Sequence, residues 1–172
     1  PDFLGAYNFS HKLIVLASGF MVYFISSTLI SQHESRESQL HIREIILFTL
    51  FITLVCSPLL LFPKFILHLF FFAVSWTDSL LDTSAYCLQL LTLSLIFQAT
   101  RMSMISALLK ERQIWTYVAI VSGCGILNIA ILFGILSQSD HYHFIPLLTL
   151  SGDICITLFL FRLFLRKKRF LW

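Results

Sequence analysis

The sequence predicts an all-α integral membrane bundle of five transmembrane helices, with one short interfacial helix on the outer side. Three observations carry this. Of 172 residues, 58% are hydrophobic and 12% charged, against about 45–50% and about 25% in soluble domains. The apolar residues gather in five stretches near the length of about 20 residues that crosses a bilayer. The basic residues collect between and after those stretches, mostly on one side. A soluble domain of about 150 residues still exposes roughly 30% of its unfolded surface, so water is a poor solvent for this composition.

The elements follow in order. Residues 13–30 and 45–62 carry no charge, and Pro58 near the end of the second stretch predicts a kink there. Residues 65–74 are apolar but too short to span. Pro63 and Ser75-Trp76-Thr77-Asp78 bound them, which predicts an interfacial or re-entrant helix with Trp76 at headgroup level. Residues 84–107 carry one charge, Arg101, and 114–136 carry none. Residues 146–165 carry Asp153 and Arg162.

Charge placement sets the orientation. Arg36, Arg43, Lys110, Arg112, Arg166, Lys167, Lys168 and Arg169 fall on one side, and only Lys12 and Lys64 on the other. The basic side is cytoplasmic. Five spans then put the C-terminus inside and residue 1 outside. The chain opens on Pro1 without the pattern of a signal peptide. Together with the outside start, this reads as the C-terminal lobe of a longer transporter, 1–172 being one transmembrane bundle that lacks an N-terminal partner lobe.

Several function classes drop out. Basic residues do not interleave with aromatics in a polar groove, so nucleic-acid binding is discarded. The sequence lacks the G-x-S-x-G, H-E-x-x-H, P-loop and G-x-G-x-x-G patterns, so no enzyme and no cofactor is expected. Cys56, Cys87, Cys124 and Cys155 all sit in apolar runs without a C-x-x-C pair and read as small buried hydrophobes. His141-Tyr142-His143 reads as surface loop, because a metal site needs more ligands than it supplies. Asp78 and Asp82 read as helix-capping acids at a water interface.

The polar residues inside spans carry the functional signal, since ionisable groups there usually face a bundle interior or a watery cavity. Arg101 has two readings. Its long stem lets it snorkel to the inner headgroups, or its guanidinium lines a cavity and takes phosphate oxygens in its fork. Asp153 is too short to snorkel far and reads as cavity-facing or charge-paired. Arg162, one turn from the inner end, snorkels. Gln89, Gln98 and Asn128 read as interhelical hydrogen-bonding groups, and Ser122, Gly123 and Gly125 as a patch where a neighbouring helix packs closely.

These features together resemble a known family. Gly5-Ala6-Tyr7-Asn8-Phe9-Ser10-His11-Lys12-Leu13 is similar to a G-x-Y-x-x-A-x-(K/R)-L opening in polysaccharide and lipid-linked oligosaccharide flippases. The Pro63 stop, the short apolar piece with Trp76, the stretch Phe97-Gln98-Ala99 to Leu108-Leu109-Lys110-Glu111-Arg112, and Asn128 follow the same pattern. The resemblance covers the whole chain in loose motifs. It is to the C-terminal part of the multidrug/oligosaccharidyl-lipid/polysaccharide exporter superfamily, closer to O-antigen-type and lipid II-type flippases than to drug exporters. Phe71 stands where the family usually has Gly, and HYHFIPLLTLSGD replaces a G-x-x-G-A-A element.

The resemblance implies two six-helix bundles around a central cavity, alternating access, and a lipid-linked sugar substrate in the cytoplasmic membrane. By that analogy Arg101 contacts the head group and Asp153 is its charge partner or an ion site, with Gln98 and Asn128 as further substrate-binding residues. A cation-coupled drug exporter of the same superfamily and a non-transporting membrane subunit or truncated product are the alternatives.

Overall fold

A computed structural model describes residues 2–34, 42–110, 114–136 and 144–168. It contains α1 (Asp2–Glu34), α2 (Ile42–Leu61), α3 (Pro63–Phe70), α4 (Asp78–Lys110), α5 (Ile114–Leu136) and α6 (Ile145–Lys168), and no strand among the described residues. The all-helical expectation stands. Each of the five apolar stretches falls on one of the five long helices. By length and composition, two described segments are sufficient to cross a membrane alone, Asp78–Met102 and Ile145–Leu163. Ile45–Leu61 with Pro63–Phe70 makes a third if that bent pair is one span. Among the described residues, two or three of the five expected spans meet that test, and the described apolar part of α5, Val118–Ile131, is shorter.

The bend falls later than Pro58 predicts. α2 continues as helix through Pro58 and breaks between Leu61 and Pro63, where the chain turns by 80°. Pro58 lacks the N–H that would bond the Leu54 carbonyl, and the Ser57 hydroxyl donates to that carbonyl instead, at 2.7 Å. A neighbouring hydroxyl thus re-satisfies the freed backbone group. At Pro63 the ring sits in the first helical turn, where its missing N–H costs nothing, so a new helix starts in a new direction.

α3 is the short helix expected at 65–74, shifted to start at Pro63. Pro63 and Leu67 face inward, while Phe65, Leu69, Phe70 and Phe72 are exposed. Behind it, Phe9, Phe71, His68 and Trp76 form an aromatic cluster, with Phe9 5.0 Å from Phe71 and 5.2 Å from Trp76 between ring centres. Thr77, rather than an acid, caps α4: its hydroxyl lies 3.4 Å from the Leu80 N–H. Asp78 lies in the first turn, and Asp82 pairs with Lys64 at the surface.

α4 is the central helix, with every other helix packed on it. Its buried residues run along most of its length, from Ser84, Cys87 and Leu88 through Thr92, Leu95 and Ile96 to Ala99, Thr100 and Met104. Three apolar clusters join it to its neighbours: Leu13, Leu67 and Leu88; Met21, Ile52, Cys56 and Leu95; Ile45, Met104, Ile156 and Leu160. Side-chain hydrogen bonds fasten the same contacts. Ser10 donates to the Ser84 carbonyl at 2.7 Å, Gln89 to the Leu60 carbonyl at 2.9 Å, and Thr49 and Thr100 share a bond of 3.1 Å. Where apolar tails give little drive to bring helices together, such bonds supply it. The outward faces stay apolar, with Phe20, Leu54, Phe72 and Phe133 each more than two-thirds exposed.

The close approach expected at Gly123 and Gly125 occurs elsewhere. A Cβ added at either would meet nothing, whereas one at Gly152 on α6 would fall on the Asn128 amide of α5. The side chains of the basic residues that set the orientation, Arg36, Arg43, Lys110, Arg112 and 166–169, and the His141–His143 loop lie outside the described residues. Arg162 is exposed, as a snorkelling residue must be.

Candidate functional site

Ser94, Gln98 and Arg101 are spaced four and three residues apart on α4. That spacing stacks them on one helix face. α6 crosses this face and brings Asp153 against all three.

The carboxylate is fully engaged. Asp153 Oδ2 accepts from the Ser94 hydroxyl and from Gln98 Nε2 at 2.9 Å. Asp153 Oδ1 accepts from Arg101 Nη1 at 3.2 Å. Gln98 Nε2 also lies 3.3 Å from Ser94 Oγ, which closes the cluster on the α4 side. One turn on, the Thr157 hydroxyl donates to the Asp153 carbonyl at 2.7 Å and lies 3.4 Å from the Phe97 carbonyl, pinning the backbone that holds the acid.

Asp153 is buried and Arg101 partly so: the Arg101 and Asp153 side chains are 16% and 10% exposed. Removing two charges from water costs several kcal/mol per ion, on the order of what their attraction and extra hydrogen bonds return. Here the carboxylate has three donors. Arg101 does not: its Nε is buried and finds no acceptor among the described residues. The cation is the under-satisfied member, and it has donors left for another ligand.

A cavity of about 240 Å³ opens beside the cluster between α4, α5 and α6. Gln98 from α4, Asn128 from α5 and Thr149, Gly152 and Asp153 from α6 line it. Asn128 therefore shares the cavity, but no bond among the described residues joins it to Asp153. A second cavity of about 120 Å³ lies between α1 and α4, lined by Ser18, Met21, Gln98 and Arg101 among others.

The four residues singled out in the sequence thus meet in one place, three in direct contact and Asn128 lining the same cavity as Gln98 and Asp153. The structure puts Arg101 on Asp153 rather than leaving it to snorkel, because α6 supplies a carboxylate at its own level. Ser94 and Thr157 were not singled out; hydroxyls are common in apolar helices, and only the Ser94–Gln98–Arg101 spacing signals the first of them. Among the described residues no group of His, Cys, Asp and Glu is arranged to hold a metal ion. No known family model matches this chain, and neither a curated protein nor a solved structure shows significant similarity to it.

Proposed function

We propose that this chain is a five-span bundle of the cytoplasmic membrane, one lobe of a transporter that moves a lipid-linked oligosaccharide or polysaccharide precursor by alternating access. The observation that supports it most is the Arg101–Asp153 pair, its carboxylate buried and lining a cavity that Gln98, Asn128 and Thr149 also line. Ionisable groups in apolar helices are costly and mark substrate or ion pathways. The exposed aromatic and aliphatic faces of α1, α2, α3 and α5 suit lipid, and the excess of Lys and Arg in the loops on one side supports a cytoplasmic C-terminus.

In this reading Arg101 keeps Asp153 in the resting state and turns its spare donors to the phosphate of the head group, whose oxygens the guanidinium fork matches. Gln98 and Asn128 offer amide groups to sugar hydroxyls from α4 and α5. A cation-coupled drug exporter is the second reading, favoured by the carboxylate that lines the cavity.

The test is transport of a labelled lipid-linked sugar by the native protein containing this chain, reconstituted in liposomes. Arg101→Ala loses a charged hydrogen bond of about 1.5–3 kcal/mol, so uptake falls by about tenfold or more. Normal transport by Arg101→Ala overturns the head-group role. Transport of cationic drugs, with none of the lipid-linked sugar, turns the assignment to the exporter.

A further inference from the structure

The two cavities beside α4 are neighbours with one wall in common. Gln98 lines both. Asp153 lines the one toward α5 and α6, and Arg101 lines the one toward α1. The ion pair at 3.2 Å and the Gln98–Asp153 bond at 2.9 Å therefore run through the wall itself.

We propose that Gln98, Arg101 and Asp153 form a charge-locked partition, and that breaking the pair joins the two cavities into one water-accessible passage across α4. The inference concerns the wall and holds whatever the cargo is. The physical reason lies in Arg101. A guanidinium keeps its proton in proteins, so without its carboxylate it is a bare buried charge. A bare charge in a low-dielectric site cannot stay dry: either water enters or the side chain leaves the wall. Both open the partition. Among the described residues its Nε finds no acceptor even in the closed state. The smaller cavity, at about 120 Å³, has space for a few waters at roughly 30 Å³ each.

The chain carries its own reporters. Met21 lines the α1-side cavity and is 8% exposed, while Met104 on α4 is packed among Ile45, Ile156 and Leu160 and is 2% exposed. Hydrogen peroxide in water converts a reached thioether to its sulfoxide, and peptide mass spectrometry reads each methionine separately. The native protein in detergent or liposomes is compared with Asp153→Asn, which keeps the volume and the hydrogen-bonding shape but removes the charge. The expected result is a several-fold faster oxidation of Met21 with Met104 unchanged. In the double variant Arg101→Gln with Asp153→Asn, no bare charge remains, and Met21 oxidation returns toward the native rate.

Three outcomes overturn the proposal. Met21 oxidation unchanged in Asp153→Asn means that the wall does not depend on the pair. Met21 and Met104 rising together means general loosening of the bundle. A double variant as fast as the single one means that a bare charge is not what opens the wall.

Discussion

Gly152 on α6 sits so close to Asn128 on α5 that the amide of Asn128 occupies the space where any other residue's Cβ would be. α5 rests mainly on α6, so this contact sets how near the two helices come and shapes the wall of the cavity beside Asp153.

Gly152→Ala overfills that contact. Overpacking costs about 1–3 kcal/mol, and thermal unfolding in detergent shows it as a lower midpoint. Asn128→Ala in the same chain removes the obstructing amide and restores most of the loss. If the single variant melts like the native protein, α5 and α6 do not approach as described.

Removing one partner of the Arg101–Asp153 pair destabilises the bundle more than removing both. Asp153→Leu alone leaves a buried charge and costs about 3–5 kcal/mol. Arg101→Met with Asp153→Leu leaves none and costs clearly less. Thermal unfolding of the two singles and the double gives the coupling directly. Additive losses contradict a paired site.

Ser57 protects a carbonyl that Pro58 cannot bond. Ser57→Ala leaves Leu54 O without its donor and lowers stability by about 1 kcal/mol. In a Pro58→Ala background the helix supplies its own N–H and Ser57→Ala becomes nearly silent. That difference between backgrounds, measured by thermal unfolding, is the check.

The Lys64–Asp82 pair behaves differently. Both side chains are mostly exposed, at 59% and 62%, and such pairs contribute about 0–1 kcal/mol. Asp82→Asn therefore shifts the melting midpoint little, and raising the salt concentration shrinks even that. A large loss means that α3 is held to α4 by this pair rather than by Leu67, Leu88 and the Phe9–Trp76 cluster.

Much of this was legible in the sequence, for identifiable reasons. Long apolar runs specify helices, so all five long elements were placed, with ends misjudged where polar residues such as Asp78 and Asp82 extend α4 beyond its apolar part. Arg101, Asp153, Gln98 and Asn128 stood out because polar groups are rare in such runs. Their meeting was not legible, because it depends on which face of α6 turns to α4. Pro58 misled because its local cost is cancelled by Ser57 next to it, while the break moved to Pro63, where proline begins a helix without penalty. The small patch at Gly123 and Gly125 misled for a similar reason: small residues permit close packing but do not require it, and Gly152 is where the neighbour arrived.

The centrality of α4 has a consequence for how the chain is made. Arg101 and its carboxylate are separated by 52 residues, so a ribosome delivers the cation to the membrane well before the anion exists. In the proposed membrane bundle α4 waits out the interval with an uncompensated charge, whose insertion costs up to about 2.5–3.5 kcal/mol. The hydroxyl and amide contacts to α1 and α2, already synthesised, are what can retain it. Biogenesis is then complete only when α6 emerges, and a ribosome-bound product stopped before Asp153 carries an α4 that protease or glycosylation mapping finds poorly inserted.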